Sequence, residues 1–332
     1  MTAVAVLGAG SWGTVLAHHL AAQGQDVMLW ARDQELARVL NEQHCNPSYL
    51  PGKQLHQSLR ATTDPARAVH GRKVVISAVP SQAVRSTLQA IGPASAPEVV
   101  LVGASKGIES ESLLRMSEVA AEIVPDQVFV ALSGPSFAIE MMEGQPTAVV
   151  AASGSPEAAE LVQNLLTAGP LRVYTSRDVL GTELAGAFKN VIAIAAGMCE
   201  GLGLGNNPRA ALITRGLAEL SRLGAAMGAD PRTFAGLAGM GDLVLTCCGV
   251  LSRNRALGVA LGQGESMESY LARHHVVVEG VPTARIALRM AERAGVELPL
   301  AGKVAECLFS GKPPRVAIAE LMERVPKPEH QA

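Results

Sequence analysis

The stretch Ala3-Val4-Ala5-Val6-Leu7-Gly8-Ala9-Gly10-Ser11-Trp12-Gly13 decides how the rest of the chain is read. Ala3 to Leu7 is a short continuous apolar run, the pattern of a strand buried on both faces of a parallel sheet. It leads without a spacer into Gly8-x-Gly10-x-x-Gly13, after which a helical pattern runs from Thr14 to Gln23 and stops at Gly24, a C-terminal cap. A second strand follows at Val27 to Ala31. Three glycines at this spacing say little alone; set between strand and helix in a βαβ unit they form a dinucleotide fingerprint. Gly8 then makes the tight turn, Gly10 admits a pyrophosphate to the backbone, and Gly13 lets helix pack on strand. The phosphates belong on the helix N-terminus, where free N–H groups and the dipole favour negative charge. Nucleotide choice lies at the end of the second strand, in Trp30-Ala31-Arg32-Asp33. An acidic residue there accepts from the ribose hydroxyls of NAD, whereas an arginine pairs with the 2′-phosphate of NADP. Arg32 tips the expectation slightly toward NADP(H) over NAD(H), and Asp33 reads as the N-cap of the next helix.

Further strands are expected at Val74 to Val79, Val99 to Gly103, Val128 to Leu132, Thr147 to Ala151 and Leu171 to Tyr174. Helical stretches between most of them make a doubly wound sheet, in which ligands bind beyond the carboxyl ends of the strands. Two of those ends carry chemistry. Lys106 follows a buried strand between Gly103 and Gly107, a poor place for a merely solvating charge. Gly134 and Ser136 bracket Pro135 at the start of a short helix, where Ser136 reads equally as an anion or carbonyl site and as an ordinary cap.

From about Asp178 strand signals vanish and helices are expected at 181–200, 208–228, 252–262, 282–294, 299–310 and 315–325. The fold class is therefore α/β: a Rossmann-type doubly wound sheet over residues 1–180, then an all-α domain over 181–332. The first of these helices, GTELAGAFKNVIAIAAGM, sets Lys189 in a run of small and apolar residues. Ala185, Gly186, Ile192 and Ala193 share its helical face, leaving room for a flat ligand beside an ammonium; a lysine snorkelling at a packing seam is the plainer reading. Loops are expected at Gly239-Met240-Gly241-Asp242 and at Ser252-Arg253-Asn254-Arg255, the second a compact anion-binding set at a helix N-terminus. Ser252 also reads as a simple cap, and Glu279, after the apolar run Val276 to Val278, as a turn residue.

The 332 residues and 48% hydrophobic content suffice for two cores. A net charge of −2 with 17% charged residues gives no basic field for nucleic acid and no polybasic membrane anchor. Five scattered cysteines read as reduced thiols of a cytoplasmic protein. Even with Cys247 and Cys248 adjacent, no cluster completes a metal site. There is no signal-peptide pattern. Apolar stretches such as Val191 to Ala196 are far shorter than the ~20 residues of a membrane helix, so no membrane span is expected.

The ordered series GAGSWGT, LWARD, NPSYLPG, ASKGIE, SGPSFA, GTELAGAFKNVIAIAAG, RAALITRGLAE, LAGMGDLVLTC, SRNR and VVEG resembles the bacterial NAD(P)-dependent glycerol-3-phosphate dehydrogenases along nearly the whole chain. The resemblance implies reversible reduction of dihydroxyacetone phosphate to sn-glycerol 3-phosphate for glycerophospholipid synthesis, and a homodimer. It implies that Lys189 is the general acid/base; on electrostatic grounds Asp242 is expected to fix the position of its ammonium. Lys106, Gly134, Ser136, Lys189, Asp242, Ser252, Arg253 and Asn254 fall where that family binds substrate. Ser11, Trp12, Arg32, Lys106, Ala138, Arg253, Val277 and Glu279 fall where it binds the nucleotide, with Tyr49 packing nearby. Ser136 stands where threonine is common, with the hydroxyl retained, and Cys248-Gly249 occupies a spot often polar. The alternatives are a β-hydroxyacid dehydrogenase of similar layout, acting on a carboxylate or aldehyde, and a non-catalytic NADP-sensing module.

Overall fold

A computed structural model describes residues 1–274, 276–326 and 328–329. Its first unit is organised by ten strands: β1 (Ala3–Leu7), β2 (Asp26–Trp30), β3 (Cys45–Asn46), β4 (Leu50–Gln54), β5 (Arg60–Thr62), β6 (Val74–Ser77), β7 (Val100–Gly103), β8 (Val128–Ser133), β9 (Thr147–Ala152) and β10 (Leu171–Ser176). Eight form one sheet in the order β10-β9-β8-β7-β6-β1-β2-β5, while β3 and β4 make a separate hairpin. Counted in chain order, β5-β2-β1-β6-β7-β8 is the 3-2-1-4-5-6 arrangement of a dinucleotide-binding sheet, all parallel.

Helices α1 (Ser11–Ala22), α2 (Gln34–Glu42), α3 (Pro65–Val69), α4 (Val84–Ile91), α5 (Met116–Ile123), α6 (Ala138–Met142) and α7 (Pro156–Leu166) cover the two faces. The alternation of a strand's side chains explains how. Val4, Val6, Val74 and Ile76 join a core with residues of α1 and α7, whereas Ala5, Leu7 and Val75 join another with residues of α3, α4 and α5. The continuous apolar runs thus serve two cores at once.

Three features differ from the sequence reading. β9 runs antiparallel to β8, pairing Ala131 with Ala152, and β10 continues parallel to β9. An apolar run carries no signal for strand direction. The short β5 and the β3–β4 hairpin were not expected at all.

The remaining helices are α8 (Val179–Gly201), α9 (Asn206–Ala226), α10 (Pro231–Ala235), α11 (Asp242–Cys248), α12 (Arg253–Gly262), α13 (Met267–His274), α14 (Gly280–Ala294), α15 (Pro299–Phe309) and α16 (Pro314–Met322). By internal contacts the chain divides into Met1–Ala187 with Gly228–Asp242, and Phe188–Met227 with Leu243–Ala332. The expected division at 180/181 fell at the start of α8; the contacts part within that helix and give 228–242 to the first unit. Asp178 shows why: its Oδ2 accepts from Asp230 N at 3.0 Å and Thr233 Oγ1 at 2.6 Å. Within the second unit α15 packs on α9, α14 and α16. Glu219 of α9 accepts from Leu300 N at 2.7 Å and Ala301 N at 3.2 Å, satisfying the first turn of α15.

At 23 residues α8 is long and apolar enough to cross a membrane, contrary to the expectation that no apolar stretch approached that length. Its apolar window is 89% buried within the protein, as in a core helix.

Candidate active site

In the first unit the glycine fingerprint takes its shape from close backbone approaches. Gly8 has φ +109° and its N–H donates to Trp30 O at 3.1 Å, tying the turn to β2. A Cβ on Gly13 would lie 2.0 Å from Gly8 O, so α1 can leave β1 at this angle only with glycine there. Among the described residues, a Cβ on Gly10 would meet nothing within 4 Å, and no side chain caps α1. The helix start therefore offers open space and uncapped N–H groups, which fit the pyrophosphate of a dinucleotide. Ser11 Oγ donates to Tyr49 O at 3.2 Å, and Trp12 packs partly buried against the first core. Arg32 is exposed after β2 and, among the described residues, in no hydrogen bond or ion pair, which suits a 2′-phosphate. Asp33 caps α2 as expected, accepting from Leu36 N at 2.6 Å.

One residue of this loop escaped the sequence reading. Asn46, fully buried in β3, donates to Ala9 O at 3.0 Å and to Thr14 Oγ1 at 2.8 Å, clamping the glycine turn from outside. Its only signal was its place at the head of NPSYLPG.

Beyond the ends of β7 and β8, Lys106 Nζ donates to Asp242 Oδ2 at 2.6 Å and to Gly134 O at 2.8 Å, and reaches Ser136 Oγ at 3.5 Å. Asp242 is only 1% exposed. Expected in a glycine loop, it instead begins α11 directly after a π-helical turn at Leu237–Gly241. Its carboxylate holds the Lys106 ammonium. Ser136 is no cap: its hydroxyl donates to Gly134 O at 2.9 Å, while Phe137 occupies the N-cap position of α6 ahead of Ala138. Lys106, Gly134, Ser136 and Asp242 thus form one polar cluster within the first unit. Ala138 lies partly buried at the first position of α6.

In the second unit Lys189 is 6% exposed, and its Nζ donates to Thr246 Oγ1 at 2.6 Å. A snorkelling lysine would hold its head in water; this one is buried. Thr246 was not anticipated, and its signal was a hydroxyl interrupting the apolar LVLTC. Next to Lys189, Asn190 Oδ1 accepts from Asn254 Nδ2 at 2.9 Å, and Asn254 Oδ1 accepts from Gly280 N at 2.9 Å. This chain joins α8, α12 and the start of α14 and leaves Asn254 one amide hydrogen for a ligand. Ser252 is the buried N-cap of α12, accepting from Arg255 N at 3.2 Å. Of the two arginines in SRNR, Arg255 makes two hydrogen bonds to the Glu200 carboxylate at 2.9 and 2.5 Å. Arg253 is exposed at the first position of α12. Val277 is half-exposed, and Glu279 precedes α14 at its N-cap position. No group of three His, Cys, Asp or Glu able to hold a metal ion occurs among the described residues.

Two family models match the chain in order: the NAD-dependent glycerol-3-phosphate dehydrogenase N-terminus over residues 3–159 and the C-terminus over 178–319. Glycerol-3-phosphate dehydrogenase (NAD(P)+) of Geobacter metallireducens is 53% identical over 329 residues, 98% of each chain. Its counterpart from Geobacter sulfurreducens is 52% identical over the same length and shares. The crystal structure of glycerol-3-phosphate dehydrogenase from Coxiella burnetii superposes with a TM-score of 0.93 at 36% identity, covering 97% of this chain and 99% of that one. With both halves matched in order and relatives more than half identical end to end, this chain belongs to the NAD-dependent glycerol-3-phosphate dehydrogenase family.

Proposed function

We propose that the chain reversibly reduces dihydroxyacetone phosphate at C2 to sn-glycerol 3-phosphate, with Lys189 as general acid/base. The observation that carries this reading is the burial of the Lys189 ammonium against Thr246 in a chain of this family. The bound nicotinamide nucleotide supplies or accepts the hydride at C2. Gly8, Gly10, Ser11, Trp12 and Gly13 hold its pyrophosphate, Arg32 its adenosine end, and Tyr49, Lys106, Ala138, Arg253, Val277 and Glu279 complete its contacts.

Negative charge develops on the substrate oxygen as the carbonyl is reduced, and a positioned donor must meet it. Lys189 Nζ gives up its proton there and takes one back in the oxidative direction. Thr246 accepts from Nζ and so fixes the direction in which the remaining protons point. Burial removes competing water, which strengthens the interaction between the ammonium and the developing charge. Lys106, held by Asp242 and Gly134 O, is a fixed cation with donor capacity left for a substrate oxygen, beside the Ser136 hydroxyl. Arg253, with Ser252 and Asn254 at the start of α12, holds the phosphate, contributing binding energy remote from the reacting carbon.

The product is a glycerophospholipid backbone, made by a cytoplasmic homodimer; the family supports this setting. Phosphate recognition is tested by inorganic phosphate, expected to compete with dihydroxyacetone phosphate, while a small 3-oxo acid without phosphate turns over poorly. Equal turnover of the 3-oxo acid would instead assign a β-hydroxyacid dehydrogenase.

A further inference from the structure

Within the first unit a small cavity lies behind Lys106, bounded by Ser105, Lys106, Ser133, Thr182, Glu183 and Gly186, with a volume of about 10 Å³. That is the room one water molecule needs. Two of the bounding groups are orphaned: Ser133 Oγ and Thr182 Oγ1 are buried and, among the described residues, have no hydrogen-bond partner. Ser133 is 5% exposed and Thr182 is 0% exposed. An unsatisfied buried hydroxyl costs about 1–3 kcal/mol, so two of them beside one cavity call for a common partner.

The placement of the hydroxyls follows from the elements that carry them. Ser133 is the last residue of β8, and Gly103, which also bounds the cavity, is the last residue of β7. Thr182 and Gly186 are four residues apart on α8 and share one helical face. A Cβ on Gly186 would stand 2.8 Å from Ser133 Oγ and 3.6 Å from Lys106 Cγ, so glycine there keeps the space open. Glu183, on the same turn, is fully engaged elsewhere. Its Oε1 accepts from Ser117 N at 2.8 Å, and its Oε2 from Arg115 Nη1 at 2.7 Å and Ser117 Oγ at 2.6 Å. The Lys106 ammonium donates to Asp242 and Gly134 O rather than to either hydroxyl. Neither charged group satisfies the two hydroxyls.

We infer that Ser133 Oγ and Thr182 Oγ1 hold a single ordered water that ties the carboxyl end of β8 to the first turns of α8 beneath Lys106. A hydroxyl both donates and accepts, so two of them can hold one water from opposite sides. This site is independent of the reaction proposed above.

The test is a high-resolution crystal structure of the full chain together with thermal unfolding of Ser133→Ala, Thr182→Val and the double variant. The expected result is a solvent peak within hydrogen-bond distance of both hydroxyls. Each single variant should lower Tm by about 2–4 °C, and the double variant by no more than one single change, because both remove the same water. Removing a hydroxyl that truly lacks a partner is neutral or stabilising. A structure without that peak, with variants melting at or above the parent temperature, would overturn the inference.

Discussion

At the scale of single residues, the side chains proposed to contact ligands divide by how much of their bonding capacity the fold already uses. Asn254 and Arg255 are committed to Asn190, Gly280 and Glu200. Arg32 and Arg253 stand exposed. Arg32→Ala is therefore expected to raise the KM for NADPH about tenfold to a hundredfold, the loss of a charge-assisted hydrogen bond, with little change for NADH. Equal KM shifts for both nucleotides would remove Arg32 from the 2′-phosphate. The sequence revealed the residues that depart from their surroundings, such as Lys189 among alanines and glycines. It did not reveal partners: Asp242 lies 136 residues from Lys106, and nothing local links the two. Asn46 escaped for the same reason, since its worth lies in two bonds to a distant turn.

At the scale of elements, β1 and α1 were legible because one short segment holds the strand pattern, the turn chemistry and the helix start. The contact that makes Gly13 necessary can be tested: Gly13→Ala puts a methyl on Gly8 O and should cost on the order of 1–3 kcal/mol, measured by urea unfolding, and weaken nucleotide binding. Unchanged stability would mean that α1 shifts freely on β1. The direction of β9 and the helical turn before Asp242 were illegible. Parallel and antiparallel core strands share one apolar pattern, and Gly239 and Gly241 read as loop punctuation. Between α9 and α15, burial pushes the Glu219 carboxyl above its ordinary value of 4.5, against the backbone N–H groups of Leu300 and Ala301, which pull it down. The folded chain then binds this proton more tightly than the unfolded chain does. The stability Glu219 contributes is full below about pH 4.5 and is lost as pH rises through its folded value. Glu219→Gln keeps an acceptor and does not titrate, so its Tm should gain on the parent's from pH 4.5 to 7. Parallel Tm profiles would contradict the shift.

At the scale of the whole molecule, composition and charge set the class and the ordered motifs set the family, but the border between units did not follow the change from strands to helices. Residues 228–242 belong with the first unit because Asp178 binds Asp230 and Thr233, a link between positions 50 residues apart or more that periodicity does not register. The proposed reaction draws on the entire chain and assigns its proton transfer to Lys189. The direct measurement is the loss of NADPH absorbance on adding dihydroxyacetone phosphate, for the parent protein and for Lys189→Ala. The account predicts turnover by the parent and a fall of about two to four orders of magnitude in kcat for the variant, with NADPH binding retained. Near-normal turnover by Lys189→Ala, or none by a parent protein that binds NADPH, would contradict it.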